Sequence, residues 1–341
     1  MGYRAVVIVS TDRKCPTAER PELSIVLPLY NEELVIDELK RRLFEMLAEI
    51  TRSRGDRSLI SSVEVIFVDD GSKDRTYELV SEIAREDPRC KVISFARNFG
   101  HQKAITAGVD HADGDAVIVM DGDLQDPPSV CIAMIEKWRE GFDVVYARRT
   151  IRRGETLFKR MTARIFYRLF AAMIPIEVPL DTGDFRLMSR PVVLALRSLA
   201  ETHRFVRAMV AWVGFRQTAV LYERPERFAG ETKYPLSKMV RFAIDGITSF
   251  SVLPLRISTY LGLIVSMASC GVGVWALVAK FVFRHVVPGW TALIVLISFV
   301  SGAQLLVIGI LGEYVGRIYE EVKRRPLYVI KKLQNFSDAD E

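Results

Sequence analysis

Residues Ala116–Gln125 read AVIVMDGDLQ, an apolar run that passes directly into two carboxylates flanking a glycine. A run this apolar is buried on both faces, which predicts a strand of a parallel sheet covered by helices. The same transition recurs upstream. Leu23–Leu27 leads into Pro28, Leu29, Tyr30, Asn31 and Glu32. Val63–Val68 leads into Asp69, Asp70, Gly71 and Ser72, and Lys91–Phe95 into Arg97, Asn98, Phe99, Gly100 and His101. Asp143–Tyr146 supplies a fifth run, and helical spacing fills the intervals Glu32–Thr51, Thr76–Arg85, Gln102–His111 and Ser129–Trp138. The alternation predicts an α/β sandwich whose parallel sheet binds its ligand outside the carboxyl ends of the strands.

The chain has 341 residues, 50% hydrophobic and 26% charged, which excludes a disordered or low-complexity protein. Cys15, Cys90, Cys131 and Cys270 lie far apart with no C-x-x-C pair, so neither a disulfide scaffold nor a cysteine zinc site is expected. A net charge of +5 does not call for nucleic acid and suits an anionic membrane surface. No signal peptide is expected, because Ala5–Val9 is too short an apolar core.

Ile257–Ala279 and Val286–Gly312 carry no charge, and each is long enough to cross a bilayer as a helix. Lys238, Arg241 and Arg256 precede the pair, while Arg317, Lys323, Arg324 and Arg325 follow it. That distribution predicts a hairpin in a cytoplasmic (inner) membrane, with the preceding domain and both termini in the cytoplasm. Pro235–Pro254 and Glu155–Met173 have apolar and basic faces at helical spacing and are expected to lie at the membrane surface.

The two acids Asp121 and Asp123 at a strand end can hold a divalent cation that also bridges two phosphates. The metal would act as a Lewis acid on a departing diphosphate. At Asp69-Asp70-Gly71-Ser72 one carboxylate can accept from a uracil imide or a ribose hydroxyl, and an ordinary β-turn accounts for the residues equally well.

In this order the motifs resemble the family 2 glycosyltransferases: P-x-Y-N-E from Pro28, D-D-G-S-x-D from Asp69, and D-x-D-x-Q from Asp121. Residues 97–102 (RNFGHQ), 121–128 (DGDLQDPP), 183–186 (GDFR) and 230–235 (GETKYP), with the apolar hairpin, narrow the resemblance to bacterial polyisoprenyl-phosphate glycosyltransferases. It covers about residues 22–328. The resemblance implies a GT-A nucleotide-sugar domain with a two-helix transmembrane hairpin. It divides the chain into a polar tail (1–21), the cytoplasmic domain (22–232), an amphipathic juxtamembrane helix (233–256), the two membrane helices (257–312) and a basic cytoplasmic tail (313–341).

It further implies that Pro28, Tyr30, Glu32 and Asp69 line the nucleotide pocket, and that Asp121 and Asp123 hold Mg²⁺ or Mn²⁺ on the diphosphate beside Gln125. Asp184 would face the sugar. Arg149 (with Arg148 competing) and Arg160 would grip the lipid phosphate, and Arg204, Lys233 and Tyr234 would complete that anionic site. The implied partners are a nucleotide-sugar donor, a polyprenyl phosphate, the bilayer and further copies of the chain, up to a tetramer, with no nucleic acid. UDP-glucose is the preferred donor, and GlcNAc, galactosamine, mannose and aminoarabinose donors fit the same motifs. A processive polysaccharide synthase is disfavoured because no Q-x-x-R-W occurs and Arg207–Trp212 does not match it.

Overall fold

The computed structural model of the chain describes residues 20–54, 57–149, 182–222, 253–281 and 289–336. These fall into two units, one built on a sheet and one made of two long helices.

The sheet unit runs β1 (Leu23–Leu29), α1 (Ile36–Thr51), a short hairpin of β2 (Ser53–Arg54) and β3 (Arg57–Ser58), β4 (Val63–Asp69) and α2 (Thr76–Glu86). It continues through β5 (Cys90–Phe95), α3 (His101–His111), β6 (Ala116–Val119), α4 (Val130–Arg139) and β7 (Val144–Arg149). Then come β8 (Thr182–Ser189), α5 (Arg190–Ser198), α6 (Val206–Val213) and β9 (Gln217–Tyr222). The unit ends, after the helical pair, with β10 (Ile330–Gln334).

Eight strands form the main sheet in the order β10-β5-β4-β1-β6-β8-β7-β9. Its centre, β5-β4-β1-β6, is parallel as expected. The sheet as a whole is mixed, because two strands outside the predicted apolar runs join it. β8 runs antiparallel between β6 and β7, and β10 runs antiparallel on the β5 edge. The reversal matters for the site. Pairing of Val119 with Arg186 brings the beginning of β8 to the end of β6.

Every residue of β1 and β4 is buried, because helices cover both faces. Leu23, Ile25, Leu27 and Leu29 of β1 share one core with α1, α2 and α4. Helix α1 presents Ile36, Leu39, Leu43, Met46, Leu47 and Ile50 at the three- and four-residue steps of an amphipathic helix. On the opposite face, α3 lies so close to β1 that a Cβ on Gly108 would run into Val26 Cγ1.

The second unit pairs α7 (Leu253–Phe281) with α8 (Trp290–Lys323). Both are long and apolar enough to cross a membrane. Leu263, Ile264, Met267, Phe299 and Leu305 stand exposed on them, the reverse of a water-soluble helix. α7 begins ahead of Arg256, and α8 continues through Glu313 and Arg317 past its apolar stretch. The expected surface segment Glu155–Met173 lies outside the described residues. So does Pro235–Pro254, except for Leu253 and Pro254, which begin α7 and lie in it.

Candidate active site

Four strand ends and one strand beginning converge on a cluster of acids. At the end of β1, the loop carrying Tyr30, Asn31 and Glu32 is stitched to the loop after β4. The Asn31 amide donates to Ser72 Oγ at 3.0 Å, the Lys73 amide to Asn31 Oδ1 at 2.8 Å, and the Glu32 amide to Thr76 Oγ1 at 2.8 Å. Pro28 pairs with Val68, and Leu29 with Asp69. Asp69 is buried and accepts from the Ser72 amide at 3.0 Å and from Ser94 Oγ at 2.9 Å.

Asp70 turns the other way and accepts from the amides of Phe99, at 2.6 Å, and Gly100, at 2.9 Å. Burial pushes its carboxyl pKa up against the pull of those two amides. Gly71 adopts φ +66°, and a Cβ there would sit 2.5 Å from the backbone carbon of Arg97. A glycine is required at this point because the loop after β5 lies directly on it.

At the end of β6, Gly122 lets the turn pack on Leu29, whose Cδ2 occupies the space a Cβ would take. Asp123 Oδ1 accepts from the Gln125 amide at 3.1 Å, an Asx-type turn that shapes the loop. Asp126 is buried and accepts from Tyr222 Oη at 2.8 Å, which ties this loop to the end of β9. Asp121 Oδ1 is buried and accepts no hydrogen bond, and the His101 imidazole faces it at 3.4 Å.

His101 also reaches Asp184 Oδ2, at 3.3 Å, and so bridges β6 and β8 from the start of α3. Asp184 is surrounded by donors. Arg207 Nε meets its Oδ1 at 2.8 Å, while Arg207 Nη2 and Gln102 Nε2 meet its Oδ2 at 3.1 and 3.0 Å. Gln102 in turn accepts from the Val206 amide at 3.1 Å, holding the start of α6.

Charge follows the geometry. Burial raises the pKa of Asp184, but the Arg207 guanidinium and the His101 contact outweigh it and hold the carboxyl well below the usual range. Burial acts against protonated His101, yet its hydrogen bond to Asp184 and the charge of Asp121 push its pKa up to about 9. Burial raises the Asp121 carboxyl, opposed by His101 and reinforced by Asp184 and Asp123. Arg186, buried beside them, donates to the Gly183 carbonyl at 2.9 Å, and burial lowers its pKa to about 10.

The cluster therefore joins Asp121 to Asp184 through His101, with Asp123 in the adjoining turn and Asp69 two strands away. Arg149 ends β7 opposite Tyr222. Arg204 donates to the Leu199 carbonyl ahead of α6, and its Nε is buried without a hydrogen-bond partner. Arg160, Lys233 and Tyr234 lie outside the described residues. Sequence reasoning missed His101, Gln102 and Arg207. Their position offered a signal, since His101 and Gln102 follow a strand end in line with the other motifs, and Arg207 follows Arg204 closely.

The residues fit a divalent cation. Among the described residues no three His, Cys, Asp or Glu side chains are grouped to hold an ion by themselves. Asp121 and Asp123 with the unsatisfied Oδ1 are instead the sparse carboxylate set that magnesium uses when substrate phosphates supply further oxygens.

The chain belongs to glycosyl transferase family 2, whose model matches residues 24–196. It is thus a glycosyltransferase, and its mixed sheet with helices on both faces is GT-A-like. It is 51% identical over 311 residues to Uncharacterized glycosyltransferase YkcC of Bacillus subtilis, covering 91% of this chain and 94% of that protein. It is 46% identical to Uncharacterized glycosyltransferase sll0501 of Synechocystis, with coverages of 92% and 95%. It is 44% identical to SfII prophage-derived bactoprenol glucosyl transferase of Shigella flexneri, with coverages of 91% and 98%.

Proposed function

We propose that the protein transfers glucose from UDP-glucose to undecaprenyl phosphate at the membrane, inverting the anomeric centre. The observation that carries the proposal is the convergence of Asp121, His101 and Asp184 where the strand ends meet. Likeness to a bactoprenol glucosyl transferase along nearly its whole length supports the lipid acceptor and the sugar. Two helices long and apolar enough to cross a bilayer support a membrane location. The basic residues flanking them support cytoplasmic termini.

In this reading Asp69 accepts from the uracil or ribose, and Pro28, Tyr30 and Glu32 form the wall of the nucleotide pocket. Asp121 and Asp123 hold Mg²⁺ or Mn²⁺, which neutralises the leaving diphosphate when bound. Gln125 lies in the same turn, where its amide fixes Asp123.

The acceptor is a phosphate monoester with a second pKa of about 6, so at neutral pH it is largely a dianion and needs no strong base. Asp184 suits a different task. Both its oxygens already accept charged or amide donors, and its low pKa makes it a poor proton acceptor. It keeps Arg207 and His101 in place, so that positive charge faces the reacting centre without reorganisation. Arg149, Arg160, Arg204, Lys233 and Tyr234 are assigned to the acceptor phosphate, whose repulsion by the diphosphate must be overcome for in-line attack.

The test is transfer in detergent to undecaprenyl phosphate with Mn²⁺ and a panel of UDP- and GDP-sugars, reading released nucleotide and lipid mass. Glucosyl lipid phosphate formed from UDP-glucose alone supports the whole reading. Transfer from another donor would replace the sugar and keep the reaction. No transfer from any donor would remove the acceptor assignment.

A further inference from the structure

β10 follows the helical pair in the chain, yet it completes the sheet of the first unit. Ile330 pairs with Phe95, and Leu333 with Ile93. Just ahead of the strand, Tyr328 stacks on Phe95 with ring centroids 5.1 Å apart and planes at 14°. Its hydroxyl donates to Asp110 Oδ2 at 3.0 Å. Phe95 ends β5, and Asp110 lies in the last turn of α3. One side chain thus grips both ends of the segment that contains the loop after β5, His101 and Gln102.

The grip is transmitted at each end. Phe95 meets Phe99 edge-on at 5.7 Å, and the Ala96 amide donates to the Val329 carbonyl at 2.9 Å. The Phe99 and Gly100 amides are the pair that Asp70 holds. At the far end, Arg197 donates to the Val109 and Ala112 carbonyls at 2.7 and 2.6 Å, and Arg190 to Ala112 at 2.6 Å. A close-packed helix moves as a rod, so what fixes the last turn of α3 also fixes its first. Burial and the Asp110 charge push the Tyr328 phenol pKa up, so the hydroxyl keeps its proton.

We propose that Tyr328 is a positioning residue for glycosyl transfer: through Phe95 and Asp110 it sets the loop and helix start that present His101 and Gln102 to Asp184. The proposal rests on the reading of the Asp121–His101–Asp184 cluster as the transfer site.

The remaining anchors of the strand supply a control. Gln334 donates to the Ser81 carbonyl at 3.1 Å, and Asn335 to the Ala84 and Cys90 carbonyls at 2.6 and 2.8 Å. The Asn335 bonds run to α2 and the start of β5 and leave both Tyr328 contacts in place, while the next residue, Phe336, meets His111 of α3 edge-on at 5.7 Å and keeps its ring in the variant. Asn335 has φ 63°, a conformation glycine accepts, so Asn335→Gly removes the bonds without straining the backbone.

The experiment compares full-length Tyr328→Ala, Tyr328→Phe and Asn335→Gly with the parent for kcat, donor KM, Tm and amide hydrogen exchange. Misplacement of a catalytic group by about 1 Å costs up to about a hundredfold, so Tyr328→Ala should lower kcat about tenfold to a hundredfold with donor KM little changed. Tyr328→Phe, which keeps the stack, should recover part of that loss. Exchange should rise over residues 96–104 in Tyr328→Ala alone, and Asn335→Gly should keep kcat whatever Tm it loses. An unchanged kcat in Tyr328→Ala would overturn the proposal, as would a loss of kcat that simply tracks Tm across the variants. Asp184→Ala, assayed alongside, separates the two levels: if it transfers normally, the site assignment fails whatever Tyr328 does.

Discussion

Replacing Asp184 by asparagine keeps the shape of the side chain and removes its charge. The carboxylate is 5% exposed and faces Arg207, His101 and Gln102 at 2.8 to 3.3 Å. The amide introduced by Asp184→Asn would leave one oxygen for those donors and turn an N–H group towards them. Removing one partner of a buried ion pair costs about 3–5 kcal/mol. Arg207 and His101, however, keep 30% and 38% exposure, so water recovers part of their solvation. A net destabilisation of about 1–3 kcal/mol is the result. In a domain of this size each kcal/mol lowers Tm by about 2–4 °C, so the expected drop is about 2–12 °C. Activity should suffer more, because removing one preorganised electrostatic element from an active site costs about 10²–10³ in kcat. The assay measures lipid phosphosugar formed at saturating donor, below the variant's Tm, with UDP binding measured in parallel. Undiminished turnover with an unchanged Tm would refute the reasoning, since the cluster would then neither hold the fold nor serve the reaction.

Asp123→Asn should abolish transfer and leave the protein folded, and chelation of the parent should have the same effect, reversed by added Mn²⁺. Normal turnover of Asp123→Asn would sink the metal assignment. Gly71→Ala places a Cβ against the Arg97 backbone at positive φ, for a loss of about 2–4 kcal/mol and weaker UDP binding. A urea midpoint and a UDP affinity equal to the parent's would contradict the close approach. Burial pushes the Cys90 thiol up to about 12 and raises Cys131 further. Neither should react with iodoacetamide at pH 8 in the native protein, and both should react after denaturation; modification of either in the folded state would dispute the packing.

The centre of the fold was legible because β1, β4, β5 and β6 are apolar on both faces, and the acids at their ends break the pattern abruptly. β8 was not legible. Residues 182–189 read TGDFRLMS, and a run containing Asp184 and Arg186 does not look like a buried strand until Arg207 and His101 are seen to pair with Asp184 and the Gly183 carbonyl to accept from Arg186. β10, residues 330–334 (IKKLQ), reads as a basic tail because an edge strand buries little and its pairing with β5 spans most of the chain. His101 was missed for a related reason. Its partners, Asp121 and Asp184, come from two other strands brought alongside α3 only by folding.

The place of β10 also orders the making of the protein. Translation reaches Ile330 only after both long apolar helices have been synthesised. Until then β5 is an open edge, with unpaired amides that could recruit a strand from another nascent chain. The ring of Phe95 meanwhile lacks the partner on which it stacks. Closure of so distant a pairing is slow compared with helix formation. A ribosome-bound chain therefore carries an unfinished sheet, which is completed only when this late strand arrives.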